Sequence, residues 1–153
     1  MEESEYTVQR DSEDHQRRLD MAKAKLRGFL EGPQLVFSRY PPENTSKPAR
    51  YARAVAHFKA ADLRNALREI DSLIEEEPEN AYFYELKAQI LYESGQGDKS
   101  IEPAQRALEL RPDSPLLKLA LAQALLETND GASVQKSVDL LKSGLVSLSL
   151  IHI

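Results

Sequence analysis

Three histidines, His15, His57 and His152, and the carboxylate run Glu75-Glu76-Glu77 with Glu79 are the side chains of this 153-residue chain best suited to hold a metal or move a proton. A protein zinc site needs three or four such ligands converging on one point, which sequences announce as HExxH, HxH or Cys/His spacings. None of those spacings occurs. Consecutive helix positions point in different directions, so Glu75–Glu77 reads as a solvated helix end rather than a cluster. His57 lies in a helical pattern and reads as a packed or rim residue. The chain has no Cys, which removes thiolate metal sites, thiol nucleophiles and disulfides. Phosphate-cradling glycine loops (GxGxxG, GxxxxGK[ST]) and the GxSxG nucleophile elbow are also missing. No catalytic or metal residue is expected in this chain, and what remains is recognition by a surface.

Composition agrees with that reading. Hydrophobic residues are 41% and charged residues 29%, as in a soluble globular chain, and a formal charge of −5 argues against a nucleic-acid partner. No apolar run reaches the roughly 18–20 residues of a membrane span. Ala and Leu are plentiful, no Trp is present, and the expected fold class is all-α.

Residues 1–14 carry six acids against one base, Arg10, and read as an acidic leader or a domain junction. Residues 15–44 follow as a basic amphipathic helix plus connector. Its apolar residues Leu19, Ala22, Leu26, Phe29 and Leu30 recur at helical spacing, and Gly32-Pro33 ends it. A short helical turn is expected over 34–39. Six helices are then expected at about 46–60, 63–77, 81–94, 99–110, 115–127 and 133–145. Ser46, Asp98 and either Asp113 or Ser114 stand as N-caps, and Pro78 and Pro112 as stops.

The helices come in repeating pairs. Pro78 and Pro112 are 34 residues apart, as are Ala54, Ala88 and Ala122, and Phe58, Tyr92 and Leu126. A helix–turn–helix with a 34-residue period is the tetratricopeptide (TPR) pattern. A small residue at the alanine positions lets paired helices approach closely, and the prolines stop each second helix. The expected architecture is therefore a TPR-like α-solenoid of about three repeats over 45–146, preceded by the N-terminal helix.

In a TPR array the first helix of each pair lines the concave face. By register those positions are Tyr51, Val55, Phe58 and Lys59, then Tyr82, Glu85, Gln89 and Tyr92, then Leu119, Gln123 and Leu126. Two roles are open for them: binding an extended peptide or partner helix, or packing against a flanking helix such as 14–30. The Lys/Asn set by which chaperone-cofactor TPRs clamp a C-terminal carboxylate is not recognisable.

Several stretches resemble one family: His15–Leu30 with its Ala-Lys-Leu-Arg-Gly-Phe-Leu segment, Asn44–Ala54, Tyr84–Ser94 and Pro112–Leu117. They look like the C-terminal region of bacterial periplasmic zinc metalloproteases of the BepA-like kind, related to the CAAX prenyl proteases. The resemblance implies a TPR tail that docks on its own protease domain and engages client proteins and outer-membrane assembly components. It implies a periplasmic location and a zinc ion in a HExxH domain preceding this region, with Met1 internal to the parent. No zinc ligand or catalytic residue falls within these 153 residues. A free-standing TPR adaptor scaffolding a protein complex is the alternative. Residues 147–153 read as a β-prone, non-native tail, since Leu148-Ser-Leu-Ile-His-Ile153 resembles one frame of a translated sequencing adapter.

Overall fold

The structure is a computed structural model that describes residues 2–151, with side chains over 5–145. Eight helices account for it: α1 (Glu2–Leu30), α2 (Pro33–Arg39), α3 (Lys47–Lys59), α4 (Leu63–Glu76), α5 (Ala81–Glu93), α6 (Gly97–Leu110), α7 (Pro115–Leu126) and α8 (Gly131–Ile151). No strand occurs among the described residues, and the fold is all-α and TPR-like. No helix among them is long and apolar enough to cross a membrane. The chain forms two compact units, Met1–Glu69 and Ile70–Ile153.

Local chemistry sets the helix ends. Ser46, Asn80 and Ser114 accept backbone N–H bonds at the starts of α3, α5 and α7, and proline occupies the first turn of α3 and α7, where its missing N–H costs nothing. The turns inside the three pairs share one backbone device. Ala61, Gly95 and Asn129 all have positive φ (61°, 79° and 53°), and they stand 34 residues apart. At the first two, paired bonds close the helix: Ala61 N–H to Phe58 and Asp62 N–H to His57, then Gly95 N–H to Tyr92 and Gln96 N–H to Leu91. The next residue then starts the second helix. Asp62 accepts from the Asn65 N–H and Asp130 from the Ser133 N–H, again in register. Both carboxyls sit below the usual aspartate range, chiefly because the Asn65 and Ser133 side chains donate to them.

Unit one is built on small residues. Ala24 of α1, Val36 of α2, and Ala52 and Ala56 of α3 are fully buried together, with Phe37 and Tyr40 packed on them. Gly28 of α1 lies so close to α3 that an added Cβ would fall 2.9 Å from Val55 Cβ. Arg53, almost fully buried, donates from Nη1 to the carbonyl oxygens of Pro41 (2.9 Å) and Asn44 (2.7 Å), and from Nε to Glu69 (3.2 Å). It thereby ties the α2–α3 connector to α4.

In unit two Ala88 and Ala104 allow α5 and α6 to close on each other. Leu121 and Leu125 of α7 complete the cluster, and Ile101, Leu108 and Leu140 pack on it. The repeat alanines Ala54, Ala88 and Ala122 are all buried. Ser137 of α8 is buried too, and its hydroxyl donates to the carbonyl oxygens of Ala122 and Ser133.

The structure departs from the sequence expectations at three places. Residues Glu2–Asp14 are helical and run without a break into the rest of α1. Asp98 does not cap α6: Gln96 occupies the cap position without a side-chain bond, and Asp98 lies in the first turn. Of the β-prone tail, 147–151 continues the backbone of α8, whereas His152 and Ile153 lie outside the described residues.

Candidate functional site

The first-helix positions of the three repeats fall into rows. Tyr51, Glu85 and Leu119 correspond, as do Val55, Gln89 and Gln123, and Phe58, Tyr92 and Leu126, each set stepping by 34 residues. The two units treat these positions differently.

In unit one the face is not free. Tyr51 and Val55 are buried, and Val55 packs on Gly28 of α1. Phe58 is half-buried. Lys59 is exposed, but its ammonium donates to the carbonyl oxygens of Phe29 and Glu31 at the C-terminal end of α1. A cation there satisfies carbonyls that the helix leaves unpaired and complements the negative end of its dipole. Val55 and Lys59 are thus both in contact with α1.

In unit two the same positions are less covered. On α5 Glu85, Gln89 and Tyr92 are half-buried, while Leu119, Gln123 and Leu126 of the neighbouring α7 are exposed. The spacing of both triplets, four then three residues, places each as one stripe along its helix. The result is a surface of one aromatic and two leucines interleaved with carboxylate and amide groups. Gln89 donates to Glu93 at 2.9 Å. Partial burial first, and then the Glu127 carboxylate beside it, push the pKa of the Tyr92 hydroxyl above the usual tyrosine range. A Cβ added to Gly97 would lie 1.7 Å from that same carboxylate. Glycine at 97 thus lets Glu127 reach the first turn of α6, whose cap position is otherwise bare.

Tyr82, the remaining expected position, is exposed near the start of α5, where the Arg111 guanidinium sits 5.0 Å from its ring centroid. Residues Glu77–Tyr82 with Leu110 and Arg111 line a shallow open cleft there. The register did not single out Arg53, Arg111 or Glu127. Arg53 carried one usable signal, a charged residue inside the buried run Ala52–Ala56. For Glu127 the sequence carries no comparable signal.

Among the described residues no group of three or more His, Asp or Glu side chains is placed to hold a metal ion. His57 instead packs its ring on Phe37 and sets Nδ1 3.3 Å from Asp62.

The fold is a TPR-like helical repeat, and residues 51–115 match the profile described as tetratricopeptide repeat. Among solved structures the chain is similar to a crystal structure of MamA, at 18% identity and a TM-score of 0.63, over 71% of this chain and 61% of that one. The chain thus spans less than two thirds of that protein's length. A second MamA structure, MamA MSR-1 C2, aligns at 14% identity over 87% of this chain and 94% of that one, with a TM-score of 0.37. Comparison with curated proteins gives no match.

Proposed function

We propose that the chain is a protein-binding TPR module whose partner lies along α5 and α7. The observation that carries this is the contrast between equivalent positions: Val55 is covered by α1, whereas Leu119, Gln123 and Leu126 are left exposed. Exposed leucines flanked by polar groups suit a peptide or helix with aliphatic anchors, and the Glu85 and Glu127 carboxylates favour a partner carrying basic residues. The finer reading is that this module belongs to a periplasmic zinc metalloprotease acting in outer-membrane protein quality control. It is supported by the resemblance of His15–Leu30 and the stretches Asn44–Ala54, Tyr84–Ser94 and Pro112–Leu117. Zinc in that reading is held by a separate catalytic domain, to which no residue of this chain is assigned.

The surface is tested by placing a photo-crosslinking residue at Leu119 or Gln123 in cells and identifying the adducts. Tyr92→Ala with Leu126→Ala should abolish those adducts while the circular dichroism stays helical. Unchanged adducts with an intact fold would discard the α5–α7 assignment. Sequencing the gene through both ends of the frame tests the parent. A HExxH domain upstream supports the protease, and a stop codon with a ribosome-binding site just before Met1 supports the adaptor.

A further inference from the structure

Helix α1 buries the face that carries Ala24 and Gly28, and this leaves an apolar row on the other side of the same helix. Leu19, Leu26 and Leu30 are 39, 59 and 79% exposed, and Val8, three turns earlier on that side, is 68% exposed. Ser12, His15 and Ala22, all exposed, fill the intervening steps of the row. From Glu5 to Leu19 only Asp14 is even partly covered, so about four turns of helix have almost no tertiary support among the described residues. A helix of roughly 12–15 residues standing alone in water is marginal. Local pairs such as Asp14–Arg17 and Gln16–Asp20 add little.

The charge along α1 is sharply divided. Residues 2–14 hold six acids and one base, whereas 15–30 hold Arg17, Arg18, Lys23, Lys25 and Arg27 against Asp20 alone. A second α1 laid parallel would set like charge beside like. Laid antiparallel, the acidic half of each helix meets the basic half of the other, and the two helix dipoles oppose.

We propose that two copies of this chain pair through α1, antiparallel, with Val8 of one copy against Leu26 of the other and Asp11 beside Lys23. The covered row is Val8, Leu19, Leu26 and Leu30. The pairing gives the N-terminal half of α1 the apolar contact it lacks in a single copy. It leaves the α5–α7 surface unused, so it stands or falls separately from the binding role proposed above.

The test is sedimentation equilibrium from about 1 to 100 μM, the range in which a modest helix–helix interface associates. A reversible dimer that weakens about tenfold or more when salt is raised is expected. Leu19→Glu with Leu26→Glu should abolish it. So should Arg18→Glu with Lys23→Glu, and Glu5→Lys with Asp11→Lys, whereas mixing these last two variants should restore a heterodimer. The absence of native Cys makes orientation readable: Val8→Cys and Leu26→Cys chains, mixed and oxidised, should cross-link to each other faster than either does to itself. A monomer throughout the range would overturn the proposal. So would a dimer indifferent to the Leu19 and Leu26 changes, or one in which Val8→Cys cross-links fastest to itself. Circular dichroism of each variant separates lost pairing from lost fold.

Discussion

The contact between Gly28 and Val55 tests how α1 is held. A methyl added at Gly28 would lie 2.9 Å from Val55 Cβ and 3.1 and 3.3 Å from its two γ-carbons. Ordinary carbon contacts are about 3.5–4.0 Å. The new Cβ cannot rotate away because it is fixed to the backbone, and the Cβ of Val55 is equally fixed. The helices must therefore separate by a few tenths of an ångström, and overpacking of this sort costs about 1–3 kcal/mol. Against this, replacing glycine inside a helix gains about 1 kcal/mol of propensity. Gly28→Ala should thus be destabilising by up to about 2 kcal/mol, where an exposed helical glycine would give a gain. Val55→Ala alone removes two buried methyl groups, at about 0.8 kcal/mol each plus a cavity term. In the double variant the added methyl meets only one carbon, so the loss should fall short of the sum by about 1 kcal/mol. Urea unfolding followed at 222 nm, with hydrogen exchange in α1 to assign the transition, measures all four corners of the cycle. A stability gain from Gly28→Ala in the Val55 background would refute the close approach of α1 to α3.

Three further outcomes are expected. Ala61→Gly should stabilise by about 0.5–1 kcal/mol and Gly95→Ala should destabilise by about 1–2 kcal/mol, since only glycine takes their positive φ without steric cost; thermal unfolding measures both. Arg53→Ala should cost about 3 kcal/mol by removing the donor to the carbonyls of Tyr40, Pro41 and Asn44 and one donor to Glu69, and Glu69→Gln should cost less because the carbonyl bonds remain; urea melts separate the two. Asp62 and Asp130 have acidities shifted below the ordinary 3.8, so each contributes stability that is present above that pH and lost as pH falls through the folded value. Asp62→Asn with Asp130→Asn should flatten the acid limb of stability against pH below about 4 and leave its slope near neutrality unchanged.

How much of this was legible follows from which features depend on local chemistry. Helix positions came through because their ends are written in Ser46, Ser114, Gly95 and the two prolines, whose effects reach only a few residues. The repeat came through because Ala54, Ala88 and Ala122 must be small for helices to close, whatever lies elsewhere. The face that α1 buries did not come through. Periodicity pointed to Leu19, Ala22, Leu26, Phe29 and Leu30, but the helix instead buries Ala24 and Gly28. A stripe of large residues signals burial only when the neighbour is as large and as far away; against an alanine- and valine-lined helix, close backbone approach recovers more contact. The same choice explains the divided fate of the candidate surface. Where α1 comes close enough to touch Val55 and to take the Lys59 ammonium at its end, the repeat's inner positions become core. At the matching positions of α7 Leu119, Gln123 and Leu126 remain exposed. One sequence pattern thus yields packing in the first repeat and an exposed surface in the third, and the difference follows from the cover that α1 gives Val55.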